Sequence, residues 1–431
     1  MLLQLVVLVG ALAPGQTSGY ESRIACDRAF KYVDTAFRGY VPGGGGSTAI
    51  YWRRNQGPGA ATYQVGDGNA SAPDVDVDDY GNSVVAWNGL DPTGTYPVLY
   101  LGIFPCSGGV VGTPLGPFVV STSGGLMPRV AIGRDNGKIT VAWQNGGSTP
   151  GGHAFAGGSI SARPFNLSGT PLAAEAIVAT SAYNQYYCFG GVAAAANGDP
   201  IIGYLKYSTG TSPVLFKACT LALNAGTTTQ RYAESVIQTY STTNGGSYPG
   251  GSSGSNAGYY YCEVAAFNDG SAVLANNLAG NATTVLNVAH ADGTGAATGV
   301  DTGIYSSSTA MVDGPVGASG VAPFQIDCRK SSPGHNDYVV AWNAGPGNYQ
   351  GTSIFYRKVI AGVAYPLAGS SPPDYCAAAG SGYPGPTVYH KAPGVAVADS
   401  GVNGVNPPCD FAISYWVNGG YGPPSLYESQ F

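Results

Sequence analysis

The feature that most constrains this chain is a β-hairpin written six times. Its clearest copy is Pro128-Arg-Val-Ala-Ile-Gly-Arg-Asp-Asn-Gly-Lys-Ile-Thr-Val-Ala-Trp143. Val130 and Ile132 share one face of a first strand, Asn136-Gly137 supplies a turn that needs positive φ, and Ile139, Val141 and Trp143 alternate along a second strand. A Gly stands six residues before the closing position in four copies: Gly81 before Trp87, Gly137 before Trp143, Gly198 before Tyr204 and Gly270 before Asn276. In the last two copies Asn336 precedes Trp342 and Asp410 precedes Trp416, so the turn chemistry persists without Gly.

Each hairpin is followed by two more strand-like runs, such as Ser159-Ile-Ser-Ala-Arg-Pro-Phe165 and Glu175-Ala-Ile-Val-Ala179. The units run from about Pro73 to Ser121, Pro128 to Ser181, Cys188 to Tyr240, Tyr261 to Tyr305, Phe324 to Gly369, and Pro393 to the C-terminus. Four-stranded meanders of roughly 50 to 70 residues are the period of propeller blades. The expected fold is therefore an all-β propeller of six four-stranded blades. Two further strands, Thr48 to Arg54 and Ala61 to Val65, resemble the second half of a unit whose first half is missing. If they count as a blade of their own, the number becomes seven. Ala29 to Tyr40 reads as either a short helix or a strand. The last unit lacks an outer strand, so N-terminal strands are expected to complete it and remove the open edges.

Residues 1–19 carry an apolar run, Met1 to Ala13, too short to span a bilayer and followed by small and polar residues; they read as a secretory signal peptide. Residues 20–431 then form one propeller domain, secreted and extracellular, and no later run is apolar enough to cross a membrane. Charged residues make up only 10% of the chain, and its 18 Lys and Arg are scattered singly, which argues against nucleic acid as a partner. The 67 Gly, 30 Pro and 30 Tyr describe many short strands joined by turns. The eight cysteines are widely spaced with no CxxC, so with an export signal they read as disulfides, Cys26 with Cys409 being the pair to test first. The sequons at Asn69, Asn166 and Asn281 would make it a glycoprotein in a glycosylating pathway.

The pattern Asn/Asp-Gly-x-x-x-Val-Ala-Trp, followed by Ile160-x-Ala162-Arg163-x-Phe165 and Gly169-x-Pro171-Leu172, resembles the blade repeats of secreted bacterial β-propeller proteins. The resemblance covers most of the chain and departs from the pattern in the fourth unit, where Asn276 stands in place of Trp. It implies a fold and an extracellular setting, not an activity.

Candidate site residues come in four groups. Trp87, Trp143, Trp342 and Trp416 alternate with Val and Ile, which favours wedging between blades over sugar-stacking platforms. Asp74, Asp76 and Asp78 alternate along one inner strand and would converge on a calcium ion, against the plainer reading of a solvated acidic edge. No Gly-x-Ser-x-Gly nucleophile elbow occurs, and His153, His290, His335 and His390 fall in loops or strand ends. Glu263, beside Cys262 on an inner strand, could face a channel; a sialidase-like reading would want Ser-x-Asp-x-Gly-x-Thr-Trp boxes, which are absent, and several Arg on inner strands, of which only Arg129 is well placed, so no residue is assigned a catalytic role. The loop Ser241 to Tyr260 is long and leads into Tyr259, Tyr260 and Tyr261, whose rings suit a sugar or protein partner. On these residues the expected function is non-enzymatic binding of a glycan or extracellular protein. The alternatives are a self-assembling structural subunit of an extracellular or cell-surface assembly, and a propeller-based glycosidase or lyase.

Overall fold

A computed structural model describes residues 5–11, 22–40, 48–56, 62–66, 70–95, 97–145, 158–180, 185–208, 214–242, 262–276, 284–307, 324–332, 334, 336–344, 353–365, 375–378, 388–399, 411–419 and 425–430. Among them every regular element is a strand. Among the described residues the strands form antiparallel sheets, six of four strands and one of five around a channel and a short two-stranded one, Cys106–Ser107 with Val110–Val111, so the ring has seven blades, the number expected if the N-terminal strands count as a blade of their own. We number these blades 1 to 7. Their inner strands are Ser22–Cys26, Ser71–Val77, Leu126–Ile132, Gln185–Ala194, Cys262–Ala266, Phe324–Cys328 and Val388–Val397. Each inner strand neighbours the next, and Val388–Val397 neighbours Ser22–Cys26, so the ring closes.

The local reasons are those of the hairpin motif. Gly81, Gly137, Gly198 and Gly270 all adopt positive φ, from 61 to 86°, as a tight turn between twisted strands requires. The turns are closed by backbone bonds such as Asp78 N to Asn82 O at 3.0 Å and Ala195 N to Asp199 O at 3.0 Å.

Two expectations change. Thr48–Gln56 and Thr62–Gly66 are not orphans; they follow Ser22–Cys26 and Val33–Tyr40 in one complete sheet, blade 1. Its first hairpin has no Asn-Gly, because the Asp27 carboxylate takes over the turn, accepting from Tyr32 N at 2.7 Å with Phe30 at φ 53°. The ambiguous stretch is thus a strand from Val33 to Tyr40. Blade 7 is completed by an N-terminal strand, but that strand is Leu5–Ala11, paired with Ser425–Gln430 inside the segment read as an export signal.

The core is a ring of clusters, each shared by two blades. Trp143 packs with Val84, Leu99 and Leu101 of the preceding blade. Trp342 packs with Val273 and Leu286 of blade 5, and Trp52 with Val85 and Phe104 of blade 2. These rings are fully buried and wedge between blades, so none of the three presents a platform. The Trp416 side chain lies outside the described residues. Among the five cysteines whose side chains are described, Cys26, Cys106, Cys219, Cys262 and Cys328, no two are joined in a disulfide; Cys409 and the side chains of Cys188 and Cys376 are outside the described set. Burial raises the thiols of Cys26, Cys219 and Cys328, the last to about 12.

A candidate active site at one mouth of the channel

The inner strands begin at one end of the channel, and near that end their side chains form a tier. In ring order the tier is Arg23, Asp74, Arg129, Gly191, Glu263, Gln325 and Gly394. Across the hairpin these residues oppose Ala36, Ala86, Ala142, Gly203, Ala275, Ala341 and Ser414, all small. In four blades that partner is the Ala of the repeated motif or of its Leu-Ala variant, which leaves room beside it for a long polar side chain.

Backbone irregularities aim the tier. Pairing shifts register just before Asp74, Arg129, Gly191 and Gly394. Ala72 and Met127, each preceding a proline, sit at φ 51 and 54°, a left-handed conformation that costs a non-glycine residue about 1–2 kcal/mol. Bulges of this kind re-aim side chains and collect beside functional sites.

Arg23, Asp74, Arg129 and Glu263 come from four blades and are 8, 8, 4 and 7% exposed. Arg23 Nη2 donates to Glu263 Oε1 at 2.7 Å, and its Nε lies 3.9 Å from Asp74 Oδ1. Arg129 Nη2 is 3.8 Å from the same Glu263 oxygen. Gln325, with its amide oxygen toward Arg23, accepts from Nε at 2.8 Å. Burial raises the Asp74 carboxyl above the ordinary carboxylate value, against the opposing pull of Arg129, Arg23 and the Val130 amide. Burial acts to lower the Arg23 guanidinium, but Glu263 and Asp74 outweigh it and the net direction is up. The arrangement therefore sets two buried carboxyl groups, Asp74 and Glu263, among the guanidiniums of Arg23 and Arg129, at a cavity of about 100 Å³.

Below this tier lies an apolar one, with Ile24, Val75, Val130, Val192, Val264, Ile326 and Val395 each from a different inner strand. Beyond it, Arg134 donates to Asp76 Oδ1 at 3.1 Å and Lys330 to Asp327 Oδ1 at 2.6 Å. Asp76 and Asp327 also accept from backbone amides of neighbouring blades, Ile132 N at 2.9 Å and Val397 N at 2.8 Å. These carboxylates stitch the ring together.

The structure separates the three aspartates that the sequence placed together. Asp74 belongs to the polar tier and bonds Val130 N at 2.8 Å, Asp76 pairs with Arg134, and Asp78 caps its own hairpin, bonding Asn82 N at 2.8 Å and Tyr80 N at 3.0 Å. Their oxygens serve three different tasks, and among the described residues no group of three His, Cys, Asp or Glu side chains is disposed to hold a metal ion. Tyr259, Tyr260 and Tyr261 lie outside the described residues. Glu263 and Arg129 do meet at the channel, as their strand positions suggest. Arg23 was missed with the blade that carries it, though its place opposite Ala36 was a signal that could have found it. His290 is bonded to Asp301 Oδ2 at 2.9 Å, which also accepts from Tyr338 at 2.6 Å, away from this site.

No family model matches the chain, and no curated protein matches it. Among solved structures it is similar to an α-L-arabinanase of Penicillium chrysogenum complexed with arabinobiose, at 12% identity and TM-score 0.42, covering 83% of this chain and 98% of that one. It is also similar to an ulvan lyase, described as a new family of polysaccharide lyase, at 10% identity and TM-score 0.47, covering 97% and 95%. An α-L-arabinofuranosidase of Fusarium graminearum matches at 10% identity and TM-score 0.43, covering 82% and 97%. At this level of similarity the likeness bears on architecture alone. The expectation of a non-enzymatic binding propeller is corrected on the chain's own geometry: Trp143 and Trp342 are buried between blades, as their alternation suggests, and offer no platform, whereas four charged side chains from four inner strands meet at the channel mouth.

Proposed function

We propose that this chain is a carbohydrate-active enzyme, a propeller-based glycosidase or lyase, that cleaves a glycosidic bond at the mouth of its channel. The observation that carries the reading is the convergence of Asp74, Glu263, Arg23 and Arg129 from four inner strands. Glycosidic cleavage needs an acid to protonate the leaving oxygen and a base on the other side of the reacting carbon, held in different protonation states by their surroundings. Asp74, raised by burial, is the acid; its proton goes to the departing oxygen as the C–O bond breaks. Glu263, clamped by Arg23 at 2.7 Å, is the base. In hydrolysis it takes a proton from the water that attacks the anomeric carbon. In elimination it takes the proton from the sugar carbon next to a carboxylate, and a C=C bond forms with no water consumed.

The test is a panel of purified polysaccharides, neutral arabinan and galactan beside uronate-containing pectate and ulvan, with two readouts. Reducing ends without a new ultraviolet-absorbing double bond identify a hydrolase, and both together identify a lyase. The expected result is cleavage of at least one polymer, lost in Glu263→Gln and Asp74→Asn. No cleavage of any polymer, or cleavage unchanged in both variants, would reject the reading.

A further inference from the structure

We infer that Gln325 is a positioning residue: reaching across blade 7, its carboxamide oxygen holds the Arg23 guanidinium in the orientation that clamps Glu263. This rests on reading Glu263 as the base of glycosidic cleavage and names a further residue on which that base depends.

Arg23 and Glu263 come from blades 1 and 5, and one bond of 2.7 Å, from Nη2 to Oε1, joins them. An arginine is a long side chain with several torsions to fix, so a contact at its Nη2 tip leaves the plane of the guanidinium unset. Asp74 does not set it, because its oxygen is 3.9 Å from Nε, beyond hydrogen-bond reach. Gln325 does: its oxygen accepts from Nε at 2.8 Å and also from Nη1. With Glu263 at the third nitrogen, every nitrogen of the guanidinium is held, and the fork has one orientation left.

Ring order explains the reach. Between blade 6, which carries Gln325, and blade 1, which carries Arg23, the tier position on blade 7 is Gly394. A Cβ added there would meet Ser414 Oγ at 2.5 Å, Ile24 Cγ2 at 3.0 Å and the Gln325 amide at 3.3 Å. Blade 7 therefore withholds a side chain where the amide passes. The other end of Gln325 is fixed by its strand, since Phe324 and Ile326 on either side of it are buried in the seam between blades 5 and 6, and Gln325 itself is buried opposite Ala341. An amide suits the task better than a carboxylate would. A second carboxylate at this place would compete with Glu263 for the same cation, whereas a neutral oxygen orients Arg23 and leaves its charge to Glu263.

The experiment combines hydrogen exchange with kinetics on the full chain, its arginines labelled with nitrogen-15, in the parent, Gln325→Met, Arg23→Met and the double variant. In the parent the Arg23 Nε–H signal, identified by its absence in Arg23→Met, is expected to exchange with water at least about tenfold more slowly than the signals of exposed arginines. Gln325→Met keeps the bulk and removes the acceptor, and should speed that exchange about tenfold. On a polymer that the parent cleaves, it should lower kcat about tenfold with KM within about twofold. In the Arg23→Met background the same change should alter kcat by less than about twofold, because Gln325 acts through Arg23. A residue that merely supported the fold would cost the same in both backgrounds. Should Gln325→Met not fold, Gln325→Asn, which keeps the amide on a shorter stem, makes the same comparison. Fast exchange in the parent, unchanged exchange or unchanged kcat in a folded variant, or equal losses in both backgrounds would overturn the inference and leave cleavage at the channel mouth standing. No cleavage of any polymer by the parent would overturn the reading of Glu263 as a base, while the exchange rates would still decide whether Gln325 holds Arg23.

Discussion

Asp74 shows how a residue can be legible in type and not in role. Alternation along the strand puts it on one side with Asp76 and Asp78, a pattern that suggested a shared ion. The bulge before Asp74 and the local amide partners of the other two carboxylates divide the set. Its raised carboxyl has two consequences whose signs differ in origin. As an acid catalyst it must carry a proton, so activity should fall as pH rises through its elevated value. As a folding contribution, a carboxyl raised above its unfolded value near 3.8 adds stability that is fully present below that value and is lost as pH rises through the folded one. Asp74→Asn should then melt no lower than the parent at neutral pH while its turnover drops by about 10²- to 10⁴-fold. Parallel melting curves and initial rates would check it; a large loss of melting temperature would show that the ionised form supports the fold.

At the scale of the element, the hairpin Gly-x-x-x-Val-Ala-Trp was readable because a tight turn, a small residue and a wedge each demand a residue type. Val75, Val130 and Val264 line the channel, the alanines make room for the polar tier, and the tryptophans fill the seams. Blade 1 was hidden because its turn is built by the Asp27 side chain and because Phe37 occupies the place that Trp87 and Trp143 hold in their hairpins. Trp143 is fully buried between blades 2 and 3, so Trp143→Ala should lower stability by about 3–5 kcal/mol in denaturant unfolding. A change under about 1 kcal/mol would mean the seam collapses around the cavity. Leu5–Ala11 is an outermost strand and takes no part in the channel. A chain beginning at residue 20, as cleavage of the expected signal would leave, should keep blade 7 as three strands and retain full activity. A proportionate loss of activity would show that the outer strand supports the site.

At the scale of the whole molecule, stability and function share one requirement, closure of the ring. Inner strand Ser22–Cys26 touches both Val388–Val397 and Ser71–Val77, and it also supplies Arg23 to Glu263 on the far side of the channel. Removing residues 20–66 would take out a whole blade rather than a clasp. It should expose two seams at once and abolish the cooperative transition seen by calorimetry. Composition and repeat period were enough to read the propeller, since blades are local meanders. The site was only partly readable, because its four charged residues lie far apart in sequence and meet only once the ring is closed. The central claim is that the chemistry resides in that meeting point. Its most direct test is the initial rate of glycosidic cleavage by Glu263→Gln against the parent, on whichever polymer the parent degrades, with both proteins shown by melting to be folded. The account predicts a fall of about a hundredfold or more; a folded variant that cleaves at the parental rate would contradict it.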